Sequence, residues 1–198
     1  MAFRKKYHHI LKYSPDLLIV PECESLEKIN FTSDFAPPSD RLWFGKNPNK
    51  GLAVFAFGQL RLKVLDVHRE DFRMVVPIAV TGASVDFNLF AVWANNPSDP
   101  DGHYITQVWK ALNHYGALLS EKPTIIMGDF NSNTIWDYKK NRLGDHSSVV
   151  RFLLKGIFIA FIISTTIRRR EKKVIQHSSC TEICRNLIIL TIASRQNK

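Results

Sequence analysis

One stretch restricts what this chain can fold into more than any other: Thr124-Ile125-Ile126-Met127-Gly128-Asp129-Phe130-Asn131. A short β-branched run that stops at a glycine and is followed at once by an acid and an amide has the pattern of a buried strand opening onto a loop. In an open α/β sheet, ligands bind outside that carboxyl end. Asp129 can accept a proton or orient a water, and Asn131 can donate to a phosphoryl oxygen, so two residues of spacing bring complementary chemistry to one loop. Taken alone, the pattern equally describes a strand that runs into an Asx turn.

A second run ends in the same way. Pro15-Asp16-Leu17-Leu18-Ile19-Val20-Pro21-Glu22-Cys23-Glu24 is again aliphatic and closes on carboxylates. Hard oxygen ligands are what Mg²⁺ prefers, which makes Glu22 a candidate metal ligand. An aliphatic strand ending in Glu near the start, and another ending in Gly-Asp-Phe-Asn about a hundred residues on, resemble the endonuclease/exonuclease/phosphatase superfamily. Between them, Gly51 to Phe57 is similar to an early strand of that superfamily, and Leu89 to Trp93 with Ala94-Asn95-Asn96-Pro97 to its central strand and following loop. His103 to Leu112 looks like the helix placed before the Gly-Asp-Phe-Asn strand. The likeness covers roughly residues 1 to 158, and it is specific as an ordered set.

The resemblance implies an α/β fold, a four-layer sandwich of two mixed β-sheets face to face with helices outside. It also implies a phosphoesterase dependent on Mg²⁺ or Mn²⁺. In that reading Glu22 holds the metal, Asp129 positions or deprotonates the attacking water, and Asn131 binds the phosphate. Asn96, just past the central strand, is a substrate-binding candidate. Such a site answers a physical need, because a phosphoester must have its developing negative charge neutralised and its nucleophile aimed. Mg²⁺ bound through one or two carboxylates and several waters meets it. His68, Asn95 and His103 are turn or surface residues in this reading.

Charge must be counted by segment. The whole chain has a net charge of +9, which would ordinarily point to nucleic acid or an anionic membrane. Residues 1 to 150, however, hold 17 Lys+Arg against 16 Asp+Glu, whereas 151 to 198 hold 10 against 2. The basicity therefore belongs to the tail and says nothing of the site. Phe158 to Ile167 is apolar and Arg168 to Lys173 is basic, but Lys155 keeps the apolar stretch below the 20 or so residues that span a bilayer. No membrane role is expected, and the basic run reads as a solvated helix end. Cys180 and Cys184 have only Cys23 besides, too few for a disulfide framework or a zinc site. Met1-Ala2-Phe3-Arg4-Lys5-Lys6 is followed by a polar, helix-like segment instead of a leader's apolar core, so a cytoplasmic product is expected.

The likeness stops after about residue 158. The superfamily's later part carries a Pro-Thr-Phe/Tyr strand, an Arg/His-Ile-Asp-Tyr strand and commonly a terminal Asp-His pair; none follows Asn131 here. Asp145-His146-Ser147 mimics the last motif but lies too close, and Asp145 or a serine is expected to cap a helix carrying Val149 to Leu154. A one-base slip supplies the missing motifs. With synonymous codon choices, Ile175 to Ile183 yields Pro-Thr-Phe-Phe-Leu-Tyr-Arg-Asn in the shifted frame, and Leu187 to Ser194 yields Tyr-His-Ile-Asp-Tyr-Cys-Phe. The expectation is an incomplete domain over 1–158 and a basic tail over 159–198 that is out of frame. The superfamily's first strand, ending in Trp-Asn, would likewise precede Met1.

Two classes of function follow. The first is a metal-dependent phosphoesterase or nuclease, acting on a phosphodiester or phosphomonoester and impaired in this chain. The second is a non-catalytic remnant of such an enzyme. The substrate, nucleic acid or another phosphoester, is not encoded in any legible motif, and no protein partner is evident.

Overall fold

A computed structural model describes residues 3–32, 34–72, 74–95, 104–138, 144–155, 159–163 and 189–191. The aliphatic runs become strands because they are buried on both faces, which is what continuous apolar strands require. Strand β1 is Leu17–Cys23, β3 is Lys50–Ala56, β6 is Phe87–Trp93 and β7 is Thr124–Asp129. Around them lie β2 (Asp40–Asn47), β4 (Arg61–Val64), β5 (Val75–Thr81), β8 (Ile159–Ile163) and β9 (Ile189–Thr191).

They form two sheets, with strand orders β2-β3-β1-β9 and β4-β5-β6-β7-β8. Both are mixed, as the resemblance implies. β1 and β2 run antiparallel to β3, and β9 runs parallel to β1. In the second sheet β4-β5-β6 is an antiparallel meander, and β7 and β8 add in parallel. A parallel addition needs a long crossover. Helices α2 (Tyr104–His114) and α3 (Gly116–Glu121) occupy the first, and α4 (His146–Lys155) lies within the second. β8 and β9 carry the two sheets beyond residue 158.

Three apolar clusters fill the spaces between four layers. Leu17, Ile19, Leu52 and Val54 meet Val76, Ile78, Leu89 and Met127 between the sheets. Phe90, Val92 and Ile126 face the other way, under Ile105, Val108, Leu112 and Val149 of α2 and α4. Phe3, Tyr7 and Leu11 pack on the outer face of the first sheet, over Leu18, Val20 and Phe55. The last group stands on a 3-10 turn (Phe3–Lys5) and the short helix α1 (Tyr7–Leu11). The chain is thus an α/β sandwich of helix, sheet, sheet and helices. Deleting one fully buried aromatic such as Phe90 would cost about 3–5 kcal/mol.

Strand direction defines one end of the sandwich. β1, β2, β6 and β7 finish there, while β3 and β5 begin there, as the antiparallel registers Cys23↔Gly51 and Val75↔Val92 and the parallel register Trp93↔Asp129 require. Across the core, β1 lies against β6 and β7, and Lys50 at the start of β3 reaches over the ring of Trp93 at the end of β6. The ends bearing Glu22 and Asp129 therefore share one mouth.

Candidate functional site at the carboxyl ends of β1 and β7

The β7 end is shaped by backbone requirements. Gly128 has φ +147°, and a Cβ there would stand 1.9 Å from the Val92 carbonyl oxygen, so only glycine lets β7 lie this close to β6. Asp129 follows, wholly buried, with its main chain paired to Trp93. Its carbonyl accepts from the Ala94 N–H at 2.8 Å, and its Oδ1 accepts from the Asn131 N–H at 3.0 Å. Asn131 takes φ +42°, a left-handed conformation that asparagine tolerates better than most residues. Its Nδ2 donates to the Ala94 carbonyl at 2.8 Å. The Asx turn and the candidate loop are therefore the same object: the turn fixes the acid and the amide at the end of the central strands.

The following segment anchors this loop to α4. Ser132 Oγ lies 2.9 Å from His146 Nδ1. Asn133 Oδ1 accepts from Ile135 N and starts a short 3-10 turn, Thr134–Trp136. Asp137 then accepts from the N–H groups of His146 and Ser147, both at 3.0 Å, and from the Ser147 hydroxyl at 2.6 Å. Asp145 caps the same helix as expected, accepting from Ser148 N at 2.7 Å. Hydrogen bonding from Ser148, opposed by partial burial, holds the Asp145 carboxyl below its ordinary range. Two carboxylates at a helix N-terminus meet both its unsatisfied donors and its dipole.

The β1 end is irregular. Register slips between Val20 and Cys23, and Glu22 sits in this bulge with φ +58°. Bulges re-aim side chains. Opposite it, the Trp43 indole lies over Gly51, where a Cβ would come within 2.4 Å of the ring, and Trp43 Nε1 donates to the Cys23 carbonyl at 3.1 Å. Glu22, thus turned, points its carboxylate to Lys50 on the neighbouring strand, with Oε1 2.7 Å from Nζ. The same ammonium lies 5.6 Å from the centre of the Trp93 ring. Trp93 is the β6 residue in register with Asp129. The chain of contacts Glu22, Lys50, Trp93 and the β7 backbone thus connects the two acidic strand ends across the mouth.

Two residues away, Glu24 meets a different fate. It is buried and accepts from the N–H groups of Phe3 and Arg4, each at 2.8 Å, and from the Arg4 guanidinium at 3.3 Å. Burial pushes its pKa up, but the hydrogen bonds from Arg4 and Phe3 and the Arg4 charge outweigh it and hold the carboxyl below the ordinary range. Glu24 is a fastener for the N-terminal segment. Cys23 is buried and free, with its thiol pushed up by burial and by Glu24.

His68 is half-buried, edge-on to Phe44 at 6.1 Å, and burial lowers its pKa against the opposing pull of Glu70. Asn96, His103, the 168–173 run, Cys180 and Cys184 lie outside the described residues. Among the described residues no group of three or more His, Cys, Asp and Glu side chains comes together as a metal cage. The donor set at the mouth still suits a hard cation that keeps most of its water, because one or two carboxylates suffice for Mg²⁺. Glu22 already presents its oxygen to a cation, that of Lys50.

No local pattern marks Lys50, Trp93, Ser132, Asp137 or His146 as a site residue. For Lys50 the nearest thing to a signal is a cation immediately before Gly51 where β3 opens at the mouth; the others depend on tertiary pairing. No family model matches the chain, and no curated protein matches it. No described helix is long and apolar enough to cross a membrane.

Proposed function

We propose that this chain carries the site of a phosphoesterase dependent on Mg²⁺ or Mn²⁺, of the endonuclease/exonuclease/phosphatase kind, acting on a phosphodiester or phosphomonoester. The observation that supports it most is the meeting of the two acidic strand ends at one mouth, joined through Lys50 and Trp93. Glu22 is the residue that would hold the divalent ion, which neutralises charge on the phosphoryl group when bound. Asp129, fixed by its turn, orients or deprotonates the attacking water. Asn131 presents its amide to the phosphate from a loop tied to Ala94. Rigid placement of this kind is what positions a nucleophile.

Catalysis is impaired. The terminal acid–histidine pair that the resemblance calls for is not spelled in frame, and one positioned acid–base group typically accounts for about a hundred- to ten-thousand-fold. The test has two arms on the full-length chain. Titration with Mn²⁺ should show one site that Glu22→Gln removes. Hydrolysis of bis(p-nitrophenyl) phosphate should be slow, metal-dependent and lost in Asp129→Ala. Metal binding with no turnover identifies the non-catalytic remnant; no metal binding at Glu22 removes the phosphoesterase reading altogether.

A further inference from the structure

Lys50 is placed more tightly than a half-exposed lysine needs to be. It opens β3 directly after the turn from β2, its Cα fixed by pairing with Asn47, and its side chain is 52% exposed. Two partners from two different strands nevertheless converge on its ammonium, the Glu22 carboxylate at 2.7 Å and the face of Trp93 at 5.6 Å. Trp93 belongs to the second sheet and is buried, so the ammonium bridges the gap between sheets at the level of Asp129. A cation within about 6 Å of an indole face keeps that attraction when its carboxylate partner is exchanged.

We propose that Lys50 is the phosphate-binding cation of this site, and that it and a divalent metal ion compete for Glu22. The inference rests on the phosphoesterase reading and deepens it. A partly exposed ion pair of this kind is weak, and a divalent ion carries twice the charge. Once Glu22 turns to such an ion, the ammonium keeps its position over Trp93 with its donors open. A lysine ammonium binds phosphate as a compact point charge with three rotatable donors. Its anchor over Trp93, the residue in register with Asp129, puts it at the same mouth as the Asp129–Asn131 loop, so each sheet would supply one phosphate donor. The lysine also holds the Glu22 carboxylate in place at the mouth.

Isothermal titration of the full-length chain with Mn²⁺, and separately with inorganic phosphate in the presence of saturating Mn²⁺, tests this. Lys50→Met should bind Mn²⁺ about fivefold more tightly than wild type, since its competitor is gone, and should bind phosphate about tenfold more weakly. Lys50→Arg, which keeps the charge, should hold phosphate within about threefold of wild type. A gain in metal affinity cannot come from a damaged fold, and Lys50→Arg provides a second reading if the methionine variant is unstable. Unchanged Mn²⁺ affinity in Lys50→Met overturns the competition, and unchanged phosphate affinity overturns the phosphate role. If wild type binds Mn²⁺ with no dependence on Glu22, the phosphoesterase reading itself fails and the inference with it.

Discussion

The two strand ends that make up the mouth are built on opposite plans. At the end of β7 the loop is held rigidly: Gly128 has no room for a Cβ, Asp129 is buried within its own turn, and Asn131 is tied to Ala94. At the end of β1 the backbone bulges, and the Glu22 side chain stays 22% exposed and pairs with a half-exposed lysine. The first plan suits a group that must not move while it aims a water; the second suits a ligand that must exchange one cation for another. The contrast teaches that rigidity and freedom to exchange partners are divided between the ends, so substitutions at the two should report on different quantities.

The largest effect on stability should come from the rigid end. Gly128→Ala must leave φ +147° or push β6 away, at a cost of about 3 kcal/mol or more, and thermal or urea unfolding should show a chain that barely folds. If it melts like wild type, the close approach of β6 and β7 is wrong. Next in size is Glu24→Gln, which removes a buried charge from three donors and should cost about 1.5–3 kcal/mol. The sign with pH follows from the lowered carboxyl. Its stabilisation is fully present above the ordinary value of 4.5 and is lost as the pH falls from there through the lowered folded value. Acid unfolding of Glu24→Gln should therefore be flatter over that window than that of wild type.

A smaller loss is expected where α4 holds the loop. Asp137→Ala uncaps the helix at His146 and Ser147 and should cost about 1–2 kcal/mol. It should also slow hydrolysis more than that loss of stability explains, because His146 carries the contact to Ser132 beside Asn131. Equal activity per folded molecule would show that α4 does not steady the loop. The smallest effect on stability belongs to Glu22→Gln. Breaking its half-exposed pair with Lys50 should shift unfolding by no more than about 1 kcal/mol while removing Mn²⁺ binding entirely.

Much of this architecture is legible in the chain because its signals are local. The buried strands are unbroken aliphatic runs, and β1, β3, β6 and β7 fall within a few residues of where composition places them. Asp145 as a helix cap is equally local. Glu22, Asp129 and Asn131 stand out because polar groups end apolar runs. What escapes is whatever depends on pairing over distance. Lys50 gains its meaning only when β1, β3 and β6 are side by side, and nothing in Pro21-Glu22-Cys23-Glu24 tells which glutamate faces the mouth and which is bound to Phe3 and Arg4. The bulge decides that. Ser132 and His146 are fourteen residues apart and meet only because α4 folds back over the loop.

A metal ion held by Glu22 would sit at the same mouth as Asp129 and Asn131, and paramagnetic broadening by Mn²⁺ tests this directly. With amide signals of the full-length chain assigned, one equivalent of Mn²⁺ should selectively broaden Glu22, Lys50, Trp93 and the Asp129-to-Ser132 loop. Glu22→Gln should abolish that pattern. Broadening that leaves the Asp129 loop sharp, or that persists unchanged without the Glu22 carboxylate, would contradict the account.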